Sequence, residues 1–405
     1  MPRAWFRIAL ANFFIAAVMG AILRYAFVVE IPWLEFRNFL HGHSHVAMLG
    51  WLYLAVYAML VQAFLREDQQ RRPFYRYNFI VAQASVLGML VAFPLQGYGA
   101  VSIAFSTLHG LASYFFAYRL MKDMPRDGSI SRLFARAALL FMIFSTLALW
   151  AMPAIVIGGM QGKAIYYMTV QFYLHFQFNG WFVFAVLALF FKLMESRGIA
   201  LAQKPALWFF RLLAVSAFLT YALAVAWAEP LPAVFAANSL GVGLQLLALA
   251  FFAAVVMRLH RQLHRHIGGW GLWLIKIAFA CFALKVLMQT AVIVPSIATV
   301  AYTVRNFVIG FIHLILLGVV TMFTLGYAVL NGLLADRSPW RRAGLWLLLA
   351  GFFSSELLLF LQGLMFWAAL GFLPFYYEAL FGLSALVPAG VLLMLGQALS
   401  DHDPD

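Results

Sequence analysis

One cysteine in 405 residues, Cys281, excludes an intrachain disulfide, a multi-cysteine metal cluster and covalent haem attachment through a CxxCH motif. Charge is equally scarce. Asp, Glu, Lys and Arg make up 10% of the chain, against about 25% in a soluble globular protein, which excludes the soluble fold classes. No loop is long enough to form a soluble domain and no strong repeat is evident residue by residue, so a single transmembrane domain over residues 1–405 is expected. What fills the chain is hydrophobic side chain, 65% of all residues. The apolar runs commonly reach about 18 residues or more, the length of a membrane-spanning helix, and lack the alternating segments of about ten residues that mark a barrel. The first run, after Arg3 and Arg7, is long enough to span and has no small-residue cleavage site, so it reads as a first helix rather than a signal peptide.

Reading apolar runs against charged or Pro/Gly-rich breaks places spans near residues 8–28, 38–64, 78–96, 99–121, 132–158, 165–192, 207–228, 233–257, 272–295, 305–333, 343–370 and 377–399. The expected fold class is all-α: a polytopic membrane protein, a bundle of twelve transmembrane helices with N- and C-termini cytoplasmic. Cations orient it, because Lys and Arg gather in the cytoplasmic loops. Arg3 and Arg7 at the start, together with REDQQRRPFYRY, RLMKDMPRDGSISRLFAR, KLMESRGIALAQKPALWFFR, RLHRQLHR and DRSPWRR, hold 21 of the 27 Lys and Arg residues. The opposite side holds Arg24, Arg37, Lys163 and Arg305, and Lys276 and Lys285 fall within the ninth span. The net charge of +13 is thus an orientation signal, and no nucleic-acid partner is expected. The partner implied is membrane lipid, in a bacterial cytoplasmic (inner) membrane. His260, His264 and His266 in a basic loop, and His402 in the acidic tail, read as solvated or lipid-facing side chains.

Histidine is distributed otherwise. The stretch FLHGHSHVAMLGW sets His41, His43 and His45 at the mouth of the second span, His109 lies in the fourth, His175 in the sixth and His313 in the tenth. All four spans would enter from the outer face. At about 1.5 Å per residue His45 and His313 lie roughly 12 Å below the outer ends, and His109 and His175 roughly 16 Å. Any one imidazole is as readily explained by a hydrogen bond to a neighbouring helix. Four at one depth favour metal or haem ligation, for which imidazole is a common ligand. Residues four apart share a helix face and residues two apart do not, so His41 and His45 look the same way and His43 does not join them. His45, the deeper, is the preferred ligand; His41 is a hydrogen-bond donor above it or, alternatively, its partner on one metal.

With these residues the chain resembles subunit I of the haem–copper oxidase superfamily, which includes cytochrome oxidase and nitric oxide reductase. HSHVAMLGWLYLAVYAML is similar to that family's second helix, RNFVIGFIHLILLGVVTMFTLGYAVL to its tenth and YLHFQFNGW to its sixth. The resemblance implies twelve helices, a haem held axially by His45 and His313, His175 at a metal-ligand position, and copper or a second haem or metal nearby; His109 has no counterpart among the family's ligands and is a candidate metal ligand by its depth alone. Without a CxxCH motif the haem would be of the b type. Electron transport from a donor protein or quinol, and further subunits, are implied likewise. The chain departs from the family at its seventh span, which has no His-His pair, at its tenth, which has one histidine, and at Asn179, where oxygen-reducing members carry tyrosine. An oxidoreductase built on it would lack the standard three-histidine metal site. The chain also resembles the NnrS-type haem- and copper-containing membrane proteins through His43, His45 and HLILLGVVTM, although Val46 and Ala47 stand where that group has Glu-Met.

Haem propionates point outward in the family, which makes Arg37 and Arg305, with Arg24, candidate partners for them. Lys285 and Glu356 lie about 13 positions into their spans, near the midplane, as an ion pair or a proton relay. Three functions follow: a haem protein that transfers electrons or binds or reduces a small gas such as oxygen or nitric oxide; a multi-pass transporter with a polar histidine layer; and a non-catalytic sensor or assembly protein of NnrS type.

Overall fold

The computed structural model describes residues 1–266, 268–334 and 338–400, without the side chains at 260, 261 and 263–266. The side chains of His260, His264 and His266, and all of His402, therefore lie outside the described residues. Within them are twelve helices long and apolar enough to cross a membrane: α1 Pro2–Tyr25, α2 Phe36–Phe64, α3 Pro73–Gln96, α4 Ala100–Asp123, α5 Ile130–Ile157, α6 Ala164–Ser196, α7 Gln203–Ala226, α8 Pro232–Leu259, α9 Gly269–Ala291, α10 Arg305–Leu330, α11 Pro339–Trp367 and α12 Tyr376–Ser400. No strand occurs among the described residues. The chain is an all-α, polytopic membrane protein. Even α9, at 23 residues, extends about 34 Å at the usual rise, enough for a hydrocarbon layer of about 30 Å.

The helix ends show where side-chain chemistry overrules hydropathy. α1 begins at Pro2, with proline in its first turn, several residues before the apolar run, because Arg3 is held by the Gly332 carbonyl at 3.0 Å. α9 stops at Ala291 rather than near 295, since Pro295 opens a separate short helix, Pro295–Thr303. Lys285 is consequently six residues from the end of α9 and not at its middle.

The chain divides into two compact units, residues 1–123 with 324–405, and residues 124–323. In the first, α12 packs against both α1 and α11, and α3 packs against α2 and α4. Gly344 of α11 and Gly390 of α12 meet backbone to backbone: a Cβ on Gly344 would come within 2.6 Å of the Gly390 carbonyl oxygen. Small residues allow such an approach between helices in lipid. Asp123, at the end of α4, accepts from Arg119 at 2.9 Å, from Arg72 at 3.0 Å and from the Tyr75 hydroxyl at 3.0 Å, tying α4 to the start of α3.

The second unit is packed largely with phenylalanine. Phe134 of α5 touches Phe184 and Phe191 of α6 and Phe209 and Phe210 of α7. Offset and edge-on ring contacts of this kind add to simple area burial. α7 lies along α8, and α9 along α10. Ser131 and Glu195 join the start of α5 to the end of α6 through a 2.5 Å hydroxyl–carboxylate bond.

Burial separates three helices from the rest. The most apolar window is 83% buried in α2, 89% in α6 and 67% in α10, and no more than 50% in any other. A helix that is apolar all round belongs in an interior, and these three carry His45, His175 and His313.

Candidate functional site

Each of the three histidines marks the same event in its helix. His45 is the last α-helical residue before a π-helical segment, Val46–Tyr53; His175 precedes Phe176–Phe182, and His313 precedes Leu314–Thr321. π-helical turns are rare and recur at functional sites, because the extra residue per turn re-aims the side chains on either side of it. Packing changes at the same residue. In the α-helical turns ending at the histidines only Gly42, Thr169 and Gly310 are buried, whereas the π segments are buried almost throughout.

A glycine stands five residues after each histidine: Gly50, Gly180 and Gly318. At two of them the reason is close approach. A Cβ on Gly180 would lie 2.6 Å from the Phe141 ring of α5, and one on Gly50 would lie 2.8 Å from Val86 of α3. The widened turn also frees a backbone carbonyl for a side chain. In α2 the Asn12 amide of α1 donates to Gly50 O at 3.0 Å and to Gln83 Oε1 of α3 at 2.7 Å. This repeat was missed in the sequence, where histidine followed five residues later by glycine, three times in the most buried spans, was its signal.

In the first unit His41 and His45 share a face, as helical periodicity requires. The His45 ring stacks on Phe93 of α3, with centroids 4.1 Å apart, and its Nδ1 donates to the His41 carbonyl at 2.8 Å. His41 meets Tyr98 edge-on at 4.7 Å. His43 points to α1, with Nδ1 at 2.9 Å from Ala16 O and its ring against Gly20. His109 of α4 is 3% exposed, lies edge-on to Tyr53 of the π segment at 4.6 Å and is within electrostatic reach of His45. Its Nε2 is buried with no hydrogen-bond partner among the described residues. Arg37 is exposed in the first turn of α2, and Glu356 is buried in α11.

The second unit carries His175, Lys285, His313 and Arg305. His175 is held at both ring nitrogens: Nε2 donates to Ala217 O of α7 at 2.7 Å, and Nδ1 faces the Asn179 amide at 3.4 Å. Lys285 is 1% exposed. His313 is half-buried, and Arg305 is exposed at the first residue of α10. His45 and His109 thus belong to one unit, and His175 and His313 to the other. Among the described residues no three His, Cys, Asp or Glu side chains converge as a metal site.

Fold and burial define a multi-pass membrane protein in which the three most buried helices each carry a histidine at an α-to-π junction. No protein-family model matches the chain, and comparison with curated proteins finds no match.

Proposed function

We propose that this is a haem-binding protein of the bacterial inner membrane, with His45 and His313 as axial ligands, acting in electron transfer or in the binding or reduction of a small gas. The observation that carries the reading is the junction of α- and π-helix at a histidine, repeated in α2, α6 and α10. An axial imidazole needs its second nitrogen fixed, since that sets the tautomer and the ring plane. His45 fits: Nδ1 is committed to the His41 carbonyl and the ring is seated on Phe93, which leaves Nε2 for iron. His313 occupies the equivalent junction in α10. A bound haem supplies one-electron chemistry at its iron, and the protein supplies orientation and dielectric. Arg37 and Arg305, each in the first turn of its helix, offer guanidinium groups to propionates. His109, with an unpartnered buried Nε2, is the residue for copper or a second haem or metal; His175, engaged at both ring nitrogens, would have to give up the Ala217 carbonyl to serve as a ligand.

The test is the absorption spectrum of purified protein. A reducible Soret and α-band pattern, lost in His45→Ala and in His313→Ala while the fold persists, is the expected result. A colourless wild type rejects the reading in favour of a transporter.

A further inference from the structure

The second unit contains a cleft that the haem reading does not use. α7 is interrupted at Thr220, between the segments Gln203–Leu219 and Tyr221–Ala226. There it touches α8: a Cβ on Gly241 would come within 2.9 Å of the Thr220 backbone nitrogen. Beyond this contact, toward the end of α7 away from Lys204 and Arg211, a shallow cleft of about 350 Å³ opens between the two helices. The small side chains of Ala222, Ala233 and Ala237 leave the room, and Phe218 and Tyr221 supply aromatic wall. Phe218 is 50% exposed, with its ring 5.4 Å from that of Phe176. The Tyr221 ring lies 5.4 Å from Phe172 and 5.8 Å from His175. Its hydroxyl donates to Met168 O at 2.9 Å, which leaves the oxygen's lone pairs free to accept.

Size, ring chemistry and charge select the occupant. The volume is near the lower end of the range of ligand pockets, about 300–1,000 Å³, and suits a single substituted ring. The open face of Phe218 beside Tyr221 favours an aromatic ring, offset or edge-on. Charge disfavours a phospholipid head. Between Arg211 and Arg258 neither helix carries Lys, Arg or His, and the one charged residue of that stretch, Glu229, is exposed just before α8 and repels phosphate. We propose that the cleft binds a lipid-soluble benzoquinol, with its ring on Phe218, one hydroxyl donating to the Tyr221 oxygen and its isoprenoid tail lying in the bilayer. The reduced form is preferred, because the Tyr221 hydrogen is committed to Met168 O and does not serve a quinone carbonyl. Binding stands without haem; use of the bound quinol as an electron donor rests on the haem reading.

Scintillation-proximity binding of tritiated decylubiquinol, kept reduced under argon, to the purified full-length protein in detergent tests it. One saturable site per chain is expected, not displaced by phosphatidylglycerol or phosphatidylethanolamine. Ala233→Phe, which fills the cleft from an exposed position, should weaken binding about tenfold or more by steric exclusion. Ala236→Phe, equally exposed but outside the cleft, should bind as the wild type does. Tyr221→Phe should weaken quinol binding about two- to tenfold, the worth of one neutral hydrogen bond, and leave decylubiquinone binding unchanged. His45→Ala should bind quinol as the wild type does, so that loss of haem and loss of quinol are read separately. Absence of saturable binding to the wild type, displacement by either phospholipid, or equal binding by Ala233→Phe and Ala236→Phe overturns the proposal.

Discussion

At the scale of single residues, the chain places costly groups only where packing surrounds them. Lys285 is the clearest: burying an ammonium costs several kcal/mol even after relaxation, so Lys285→Met should raise the thermal unfolding midpoint. Differential scanning fluorimetry reads this directly, and a lowered midpoint would show that the ammonium is already satisfied. Gly180 tests the opposite kind of constraint. Its missing Cβ is occupied by the Phe141 side chain as far in as Cβ, 2.7 Å away, so Gly180→Ala should destabilise by about 1–3 kcal/mol, the cost of overpacking. The histidines were legible in the sequence as residues of unusual cost, and the opposite facing of His43 and His45 followed from helical periodicity alone. The tautomer of His45, fixed by the His41 carbonyl, was not, because it depends on a backbone atom that any residue at position 41 would present.

At the scale of elements, the three π segments are the feature that sequence reading passes over. Their residues are as apolar as those of the neighbouring α-turns, and the register is set by contacts from other helices, such as the Asn12 amide on Gly50 O. Deleting Ala47 should convert the π segment of α2 to plain α-helix and change the aim of His45 relative to the buried half of its helix. Haem absorbance should vanish in a protein that still inserts, as far-UV circular dichroism and membrane fractionation would show. The short helix Pro295–Thr303 was hidden for a related reason: it is apolar, and only Pro295 separates it from α9. Asp123 offers an element-scale test of stability. Three donors converge on its carboxylate, so Asp123→Ala should cost about 1–3 kcal/mol, measured as a lower unfolding midpoint.

At the scale of the whole molecule, composition alone made the twelve spans legible, because lipid demands long apolar helices whatever the packing. The distribution of spans between two units was not legible: α12 returns to α1, and α11 joins α12 through close glycine contacts such as that of Gly344 with Gly390, which hydropathy does not report. The loop charges predict that the exposed residue Gln161 faces outward and the exposed residue Arg126 faces the cytoplasm. In a Cys281→Ser background, a membrane-impermeant maleimide applied to intact cells should label Gln161→Cys and spare Arg126→Cys. The reverse pattern would invert the topology and put the histidine layer in the cytoplasmic half.

The most direct measurement of the central claim is the reduced-minus-oxidised difference spectrum of membranes carrying the wild type, His45→Ala or His313→Ala at matched abundance. A haem signature in the wild type that is missing from each single variant is the outcome the account requires. An unchanged signature in both variants, or none in the wild type, contradicts it.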